Sequence, residues 1–123
     1  GVDNEKDLNE MRDMGSRFKR GFQQRARQVN KIRKYIDESP YHVIDCGDFN
    51  DTPTSYSYQQ IRKGLKDAFI RSGSGVGRTY VGKLPSFRID YIFHSSGFES
   101  YNFQTYSYQN SDHLPISCSL IKN

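Results

Sequence analysis

Tyr41-His42-Val43-Ile44-Asp45-Cys46-Gly47-Asp48-Phe49-Asn50 is the stretch on which the fold of this 123-residue chain turns. Tyr41–Cys46 is a short apolar run bounded by Gly47, which predicts a strand. Asp48 and Asn50 then project from the strand's end, and Gly47 permits backbone geometry that other residues resist. Gly, Asp and Asn are also ordinary turn residues, so the segment alone reads equally as a turn.

Working back from Tyr41, Ser39-Pro40 closes a helix, because proline disfavours helical geometry in the residue before it. From Ser16 onward Phe18, Phe22, Ala26, Val29, Ile32 and Ile36 recur at three- and four-residue steps, with Arg, Lys and Gln between them. That is one apolar stripe on a long amphipathic helix, a cover for a sheet. Residues 1–15 are polar and charged, with Leu8, Met11 and Met14 as weak apolar points. They are expected to be a poorly ordered N-terminal segment.

Working forward, Asp51-Thr52-Pro53-Thr54 predicts a turn that starts a short helix. Tyr58 and Ile61 mark its buried side and Gly64 its end. Leu65–Ile70 is a short apolar segment, and residues 71–77 form a flexible loop. Thr79–Val81 is a brief strand. Phe87–His94 alternates and is rich in aromatic and β-branched residues, which makes it a strand. Phe98–Tyr108 is a strand with a bulge, and Leu114–Ile121 is a terminal strand. A helix, a strand, a short helix and then several strands give an α+β fold, a sheet with helices on one face.

The composition is that of a folded, water-exposed domain: 34% hydrophobic, nine Tyr and eight Phe without Trp, and a mean hydropathy of −0.85. Large aromatics offset the low aliphatic count. No stretch approaches the roughly 20 apolar residues of a membrane-spanning helix. The net charge is +4, much of it from Arg17 to Lys34. Such a surface attracts phosphates, although charge runs on helices are commonly solvated faces. Cys46 and Cys118 lie in apolar runs outside any metal-binding spacing and read as buried free thiols; their spacing does not decide whether they pair.

Three segments concentrate acids, an amide and an imidazole beside strand ends. Besides Gly47-Asp48-Phe49-Asn50 they are Arg88-Ile89-Asp90-Tyr91-Ile92-Phe93 and Ser111-Asp112-His113-Leu114-Pro115. Asp90 has apolar neighbours, so its carboxylate needs a partner. It is either a paired structural Asp or one that holds a catalytic His in its tautomer. Asp112-His113 can bind a metal, act as an acid/base pair, or cap a turn. The glycines at 73, 75 and 77 lack the following GK[ST] of a phosphate loop. His42 and His94 read as locally hydrogen-bonded. Asp45 is expected to face solvent or pair with a basic residue.

Together, and in this order, GDFN at 47–50, RIDYIF at 88–93 and SDHLP at 111–115 resemble the endonuclease/exonuclease/phosphatase family, with Leu65–Phe69 and Thr79-Tyr80 in between also similar to bacterial members. The resemblance spans roughly residues 17–121. It implies divalent-metal-dependent hydrolysis of a phosphoester or phosphodiester, with Mg²⁺ or Mn²⁺ as cofactor. Asp48 would orient or deprotonate the attacking water, and Asn50 would position that water or stabilise phosphoryl oxygens. His113 would contact the scissile phosphate, Asp90 would set its tautomer, and Asp112 would be a metal ligand. A non-catalytic phosphate- or nucleic-acid-binding module derived from the fold is the alternative.

The family fold is a four-layer α/β sandwich about twice this length, and the resemblance covers only its second half. The expectation is therefore half of that sandwich: a mostly antiparallel sheet with the long helix on one face, residues 16–123 being the C-terminal half of the catalytic domain. A Glu for the metal would come from the missing N-terminal half. The chain alone is expected to be inactive, and either to form a homodimer through its open sheet face or to show substantial loop disorder. Nucleic acid, nucleotide, phosphoinositide and phospholipid headgroup all remain as substrates.

Overall fold

The computed structural model describes residues 2–81 and 87–123. Helix α1 runs Val2–Glu38, so it begins well before Ser16. The three- and four-residue spacing continues back through Met14, Met11 and Leu8, and no proline interrupts it. Residues 4–20 are all exposed, so this part is supported by helical hydrogen bonds rather than by burial. The stripe is covered only toward its end. Val29 is buried and Ala26 and Ile36 are partly buried, whereas Phe18 is 73% exposed and Phe22 and Ile32 also face outward.

Strand β1 is Ile44–Asp48, helix α2 is Tyr56–Arg62, β2 is Lys66–Asp67, α3 is Ala68–Ser72, β3 is Asp90–His94, β4 is Phe98–Thr105 and β5 is Ile116–Lys122. Among the described residues the strands form two antiparallel sheets rather than one: a three-stranded sheet in the order β1-β3-β2, and the hairpin β4-β5. β1 pairs with β3 from Ile44 opposite His94 to Asp48 opposite Asp90. The irregularity expected in β4 lies between Tyr101 and Gln104, where Asn102 adopts φ 55°. The strand expected at Thr79–Val81 shrinks to bridges from Tyr80 to Phe87 and to His113.

The short elements follow their local signals. Ser55 caps α2, its side chain accepting from the Tyr58 amide at 3.2 Å, as capping hydroxyls do. Gly64 follows the helix at φ 73°, a left-handed conformation that glycine adopts without a Cβ penalty. Asp67 caps α3, its Oδ1 accepting from the Phe69 amide at 3.0 Å.

The core lies between α1, α2 and one face of the three-stranded sheet. Val29, Tyr58, Ile61, Tyr91 and Phe93 are buried together, with Ile36, Phe49 and Leu65 against them. Here the aromatics supply the bulk that the low aliphatic content does not. Tyr58 and Phe93 have ring centroids 5.5 Å apart, and Phe49 meets Tyr91 edge-on at 5.2 Å. On the far side α3 reaches the hairpin through Phe69 and Phe103, whose centroids are 5.4 Å apart.

Two expectations about β1 are reversed. Cross-strand partners share a sheet face, and Asp45 pairs with Phe93 while Cys46 pairs with Ile92. Phe93 is in the core, so Asp45 is turned under α1 and Cys46 is exposed on the open face. The sulfur therefore does not serve as core packing. Asp45 does not face solvent freely, and among the described residues it finds no basic partner. Its Oδ2 is buried without a hydrogen bond, and burial pushes its carboxyl above the usual range. Cys118 is partly buried, and both thiols are free.

Candidate active site

The site begins with strand pairing. Asp48 ends β1 and Asp90 begins β3, and the antiparallel register sets them opposite each other. The Phe49 amide donates to the Ile89 carbonyl at 2.9 Å, which carries the pairing one step past the strand. The chain then turns sharply. The Asn50 amide donates to Asp48 Oδ1 at 2.8 Å, and Asn50 sits at φ 54°. Asn tolerates this left-handed region better than most residues because its short polar side chain bonds locally. GDFN is thus both the expected turn and the strand-end acid.

Asp90 is held from behind. The Thr79 hydroxyl, fully buried, accepts from the Ile89 and Asp90 amides, each at 3.0 Å. The same segment draws in the third motif. Leu114 donates to the Thr79 carbonyl and Val81 to the Asp112 carbonyl, both at 2.7 Å. His113 therefore arrives beside the carboxylates, its ring edge-on to Tyr80 at 5.4 Å.

His113 Nδ1 lies 2.9 Å from Asp90 Oδ2, and His113 Nε2 lies 3.5 Å from Asp48 Oδ2. The imidazole is thus bracketed by two carboxylates. The hydrogen bond to Asp90, and the charges of Asp90, Asp48 and Asp112, raise its pKa against the smaller opposing effect of burial. Nδ1–H donates to Asp90, which leaves Nε2 as the atom available toward the Asp48 side. Asp90 is therefore paired with an imidazole.

Five residues were expected to form the site. Asp48, Asp90 and His113 converge, with ligand atoms within 4.8 Å of one another. Asn50 joins them through its backbone and through a hollow of about 370 Å³ that it lines with Tyr80, Phe87, Ile89 and His113. Asp112 is exposed and lies outside the converging set. A second hollow, about 520 Å³, is lined by Asp48, Asp90 and His113 together with Cys46, Ile92, Tyr108 and Ile116.

The donor set suits a hard divalent ion only in part. Asp90 Oδ2 and His113 Nδ1 engage each other, and Asp48 Oδ1 is taken by the Asn50 amide. Asp48 Oδ2 lies 3.5 Å from His113 Nε2. An ion such as Mg²⁺ binds through one or two carboxylates together with water and substrate oxygens. Asp48 fits one such position, and Asp90, whose Oδ2 is engaged by His113, is the other carboxylate of the converging set.

Sequence reading overlooked the residues behind the site. Thr79 belonged to a motif but carried no role, and Tyr91 read only as an apolar neighbour of Asp90. The available signal was chemical: a Tyr rather than a Phe in a core strand brings a hydroxyl that needs a partner. Arg88, which heads the same motif, is buried against Asp67 at 2.8 Å.

A model of the Endonuclease/Exonuclease/phosphatase family matches residues 12–113, and the chain belongs to that family. Three solved structures are similar. An endonuclease/exonuclease/phosphatase family protein from Bacteroides thetaiotaomicron is 24% identical over 80% of this chain and 44% of its own, with a TM-score of 0.58. A mannosyl-6-phosphatase from the same organism is 25% identical over 79% of this chain and 44% of its own, with a TM-score of 0.56. A functionally unknown conserved protein from Enterococcus faecalis is 18% identical over 80% of this chain and 44% of its own, with a TM-score of 0.68. The chain thus spans 44% of the length of each of these structures. A search of curated proteins finds no match.

Proposed function

We propose that this chain is the C-terminal part of a catalytic domain that hydrolyses a phosphoester or phosphodiester with a divalent metal, Mg²⁺ or Mn²⁺. The observation that carries the proposal is the line Asp48–His113–Asp90, with contacts of 3.5 Å and 2.9 Å about one imidazole. Family membership supports phosphoesterase chemistry of a general kind.

A phosphoester is anionic and repels nucleophiles, so its hydrolysis needs positioning and charge neutralisation. His113, held through Nδ1 by Asp90 at 2.9 Å, presents its imidazole to the phosphoryl oxygens. Asp90 fixes the ring's orientation and keeps Nδ1 occupied. Asp48 accepts a proton from the attacking water or orients it, and the Asn50 side chain holds that water or a phosphoryl oxygen. A bound divalent ion would supply further charge neutralisation at the phosphate. Asp48 is the residue best placed to ligate it, and Asp112 stands near enough in sequence to join if its loop turns inward.

Residues 16–123 form the C-terminal half in this reading, and residues 2–15 are the first part of α1, exposed from Asn4 onward. The open face bearing Ile44, Cys46 and Ile92 receives the N-terminal half, which brings a Glu to the metal, or, in its absence, a second copy of the chain. Substrate choice lies among phosphoesters generally, from nucleic acid to a phospholipid headgroup.

The test is a phosphoester panel on the intact protein with and without Mg²⁺. Turnover should vanish with chelator and fall about 10²- to 10⁴-fold in His113→Ala. Turnover unaffected by both His113→Ala and Asp48→Asn would overturn the assignment. Salt-dependent nucleic-acid binding that ignores Asp48→Asn, with no turnover at all, would favour the binding-module alternative.

A further inference from the structure

Asp51, the residue after Asn50, is gripped twice. Its backbone carbonyl lies 2.8 Å from the Tyr91 hydroxyl, and its carboxylate lies 3.5 Å from Arg25 Nε. The Tyr91 hydroxyl is also 2.7 Å from the Arg88 carbonyl, so one proton serves two carbonyls, one on each side of the GDFN–RID junction. Tyr91 is 1% exposed, and its ring stacks on Phe93 with centroids 5.5 Å apart at an interplanar angle of 17°. A tyrosine locked this way has little freedom to release its tip. The Arg25 contact is an ion pair too poorly aimed to be a hydrogen bond, and it ties α1 to the same residue.

These grips bear on a turn that needs support. Asn50 at φ 54° sits in a conformation that non-glycine residues keep only when their surroundings enforce it. Its amide in turn fixes Asp48 Oδ1, which leaves Oδ2 aimed at His113. The order of constraint runs from Tyr91 to Asp51, to the Asn50 turn, to the Asp48 carboxylate.

We propose that Tyr91 is a positioning residue of this site, acting through Asp51 to hold the Asn50 turn and hence the direction of Asp48, with Arg25 as a second, weaker grip. Tyr91 touches no reacting atom. Its hydroxyl bonds both the loop after β1 and the segment entering β3, and with the Phe49–Ile89 backbone bond it sets the separation on which the Asp48–His113–Asp90 line depends. The proposal rests on the functional reading above, and the following experiment separates the two.

Tyr91→Phe in the intact protein keeps the ring and deletes the hydroxyl. Tyr58→Phe is the matched control. It deletes another buried hydroxyl of the same core, one that donates to Asp67 Oδ2 at 2.8 Å and touches nothing in the loop. Both variants should lose comparable stability in denaturant unfolding. In Tyr91→Phe alone, the ¹⁵N order parameters of Asn50 and Asp51 should fall from about 0.85 toward about 0.6. Turnover per site should then drop roughly tenfold or more at nearly constant KM, the signature of misplaced groups. Arg25→Met should give a smaller change in the same direction, and Arg25→Lys should recover part of it. Unchanged order parameters in Tyr91→Phe, or equal loss of turnover in Tyr58→Phe, would overturn the proposal. If the wild-type protein turns over no phosphoester, the functional reading fails, and the order parameters still decide whether Tyr91 holds the turn.

Discussion

Arg88 and Asp67 form an ion pair at 2.8 Å with side-chain exposures of 9% and 0%. The Asp67 carboxylate also caps α3 and accepts from Tyr58. The guanidinium lies over the rings of Phe69, Tyr91 and Tyr58, at 4.7, 5.0 and 5.8 Å from their centroids. One arginine thus joins β2, α3 and the approach to β3, directly behind the site. Removing one member of a buried pair strands the other charge, which costs about 3–5 kcal/mol. Arg88→Met is expected to destabilise the protein by that amount in urea unfolding. Asp67→Asn should cost a similar amount, and the double variant less than the sum, because no charge is left unpaired.

The Asp90–His113 contact carries a pH signature. His113 has its folded pKa raised above 6.5, chiefly by the Asp90 hydrogen bond. The stabilisation from this contact is therefore fully present below pH 6.5 and is lost as pH rises through the folded value. Asp90→Asn should return the His113 ring titration, followed by NMR in metal-free protein, toward 6.5 and flatten the pH dependence of stability in that window. The same variant should reduce turnover about 10²-fold or more.

Asp45 offers the opposite kind of test. Burial raises its carboxyl pKa, and its Oδ2 has no hydrogen-bond partner. Its folded pKa lies above the unfolded one, so its contribution is most favourable below the unfolded carboxyl range and is lost as pH rises through the folded value. Asp45→Val should therefore stabilise the protein by about 1–3 kcal/mol near neutral pH. The gain should shrink in acid, and a gain that is the same at every pH would count against burial as the cause.

The open face of the three-stranded sheet predicts association. Ile44 is 52% exposed, and Cys46 beside it faces the same side. Produced alone, the chain is expected to sediment as a dimer or larger species and to show negligible Mg²⁺-dependent turnover. A monodisperse monomer in ultracentrifugation would refute the first expectation. Robust turnover abolished by His113→Ala would refute the second.

The sequence by itself determined the parts governed by local chemistry. Short-range patterning located the end of α1 at Ser39-Pro40, α2 with Tyr58 and Ile61 on its buried side, and β3 with its alternating aromatics. Three motifs named Asp48, Asp90 and His113, because the residue types their chemistry needs are written directly in the chain. The tertiary structure decided what depends on neighbours. It set which face of β1 meets the core, which reversed Asp45 and Cys46, because a strand's two faces differ only in what packs on them. It split the strands into two sheets, left the Phe18 end of the α1 stripe uncovered, and left Asp112 outside the residues that converge. It also placed Thr79, Arg88 and Tyr91 behind the site. Each has a partner about 10 to 40 residues away in sequence, a separation over which no local pattern carries information.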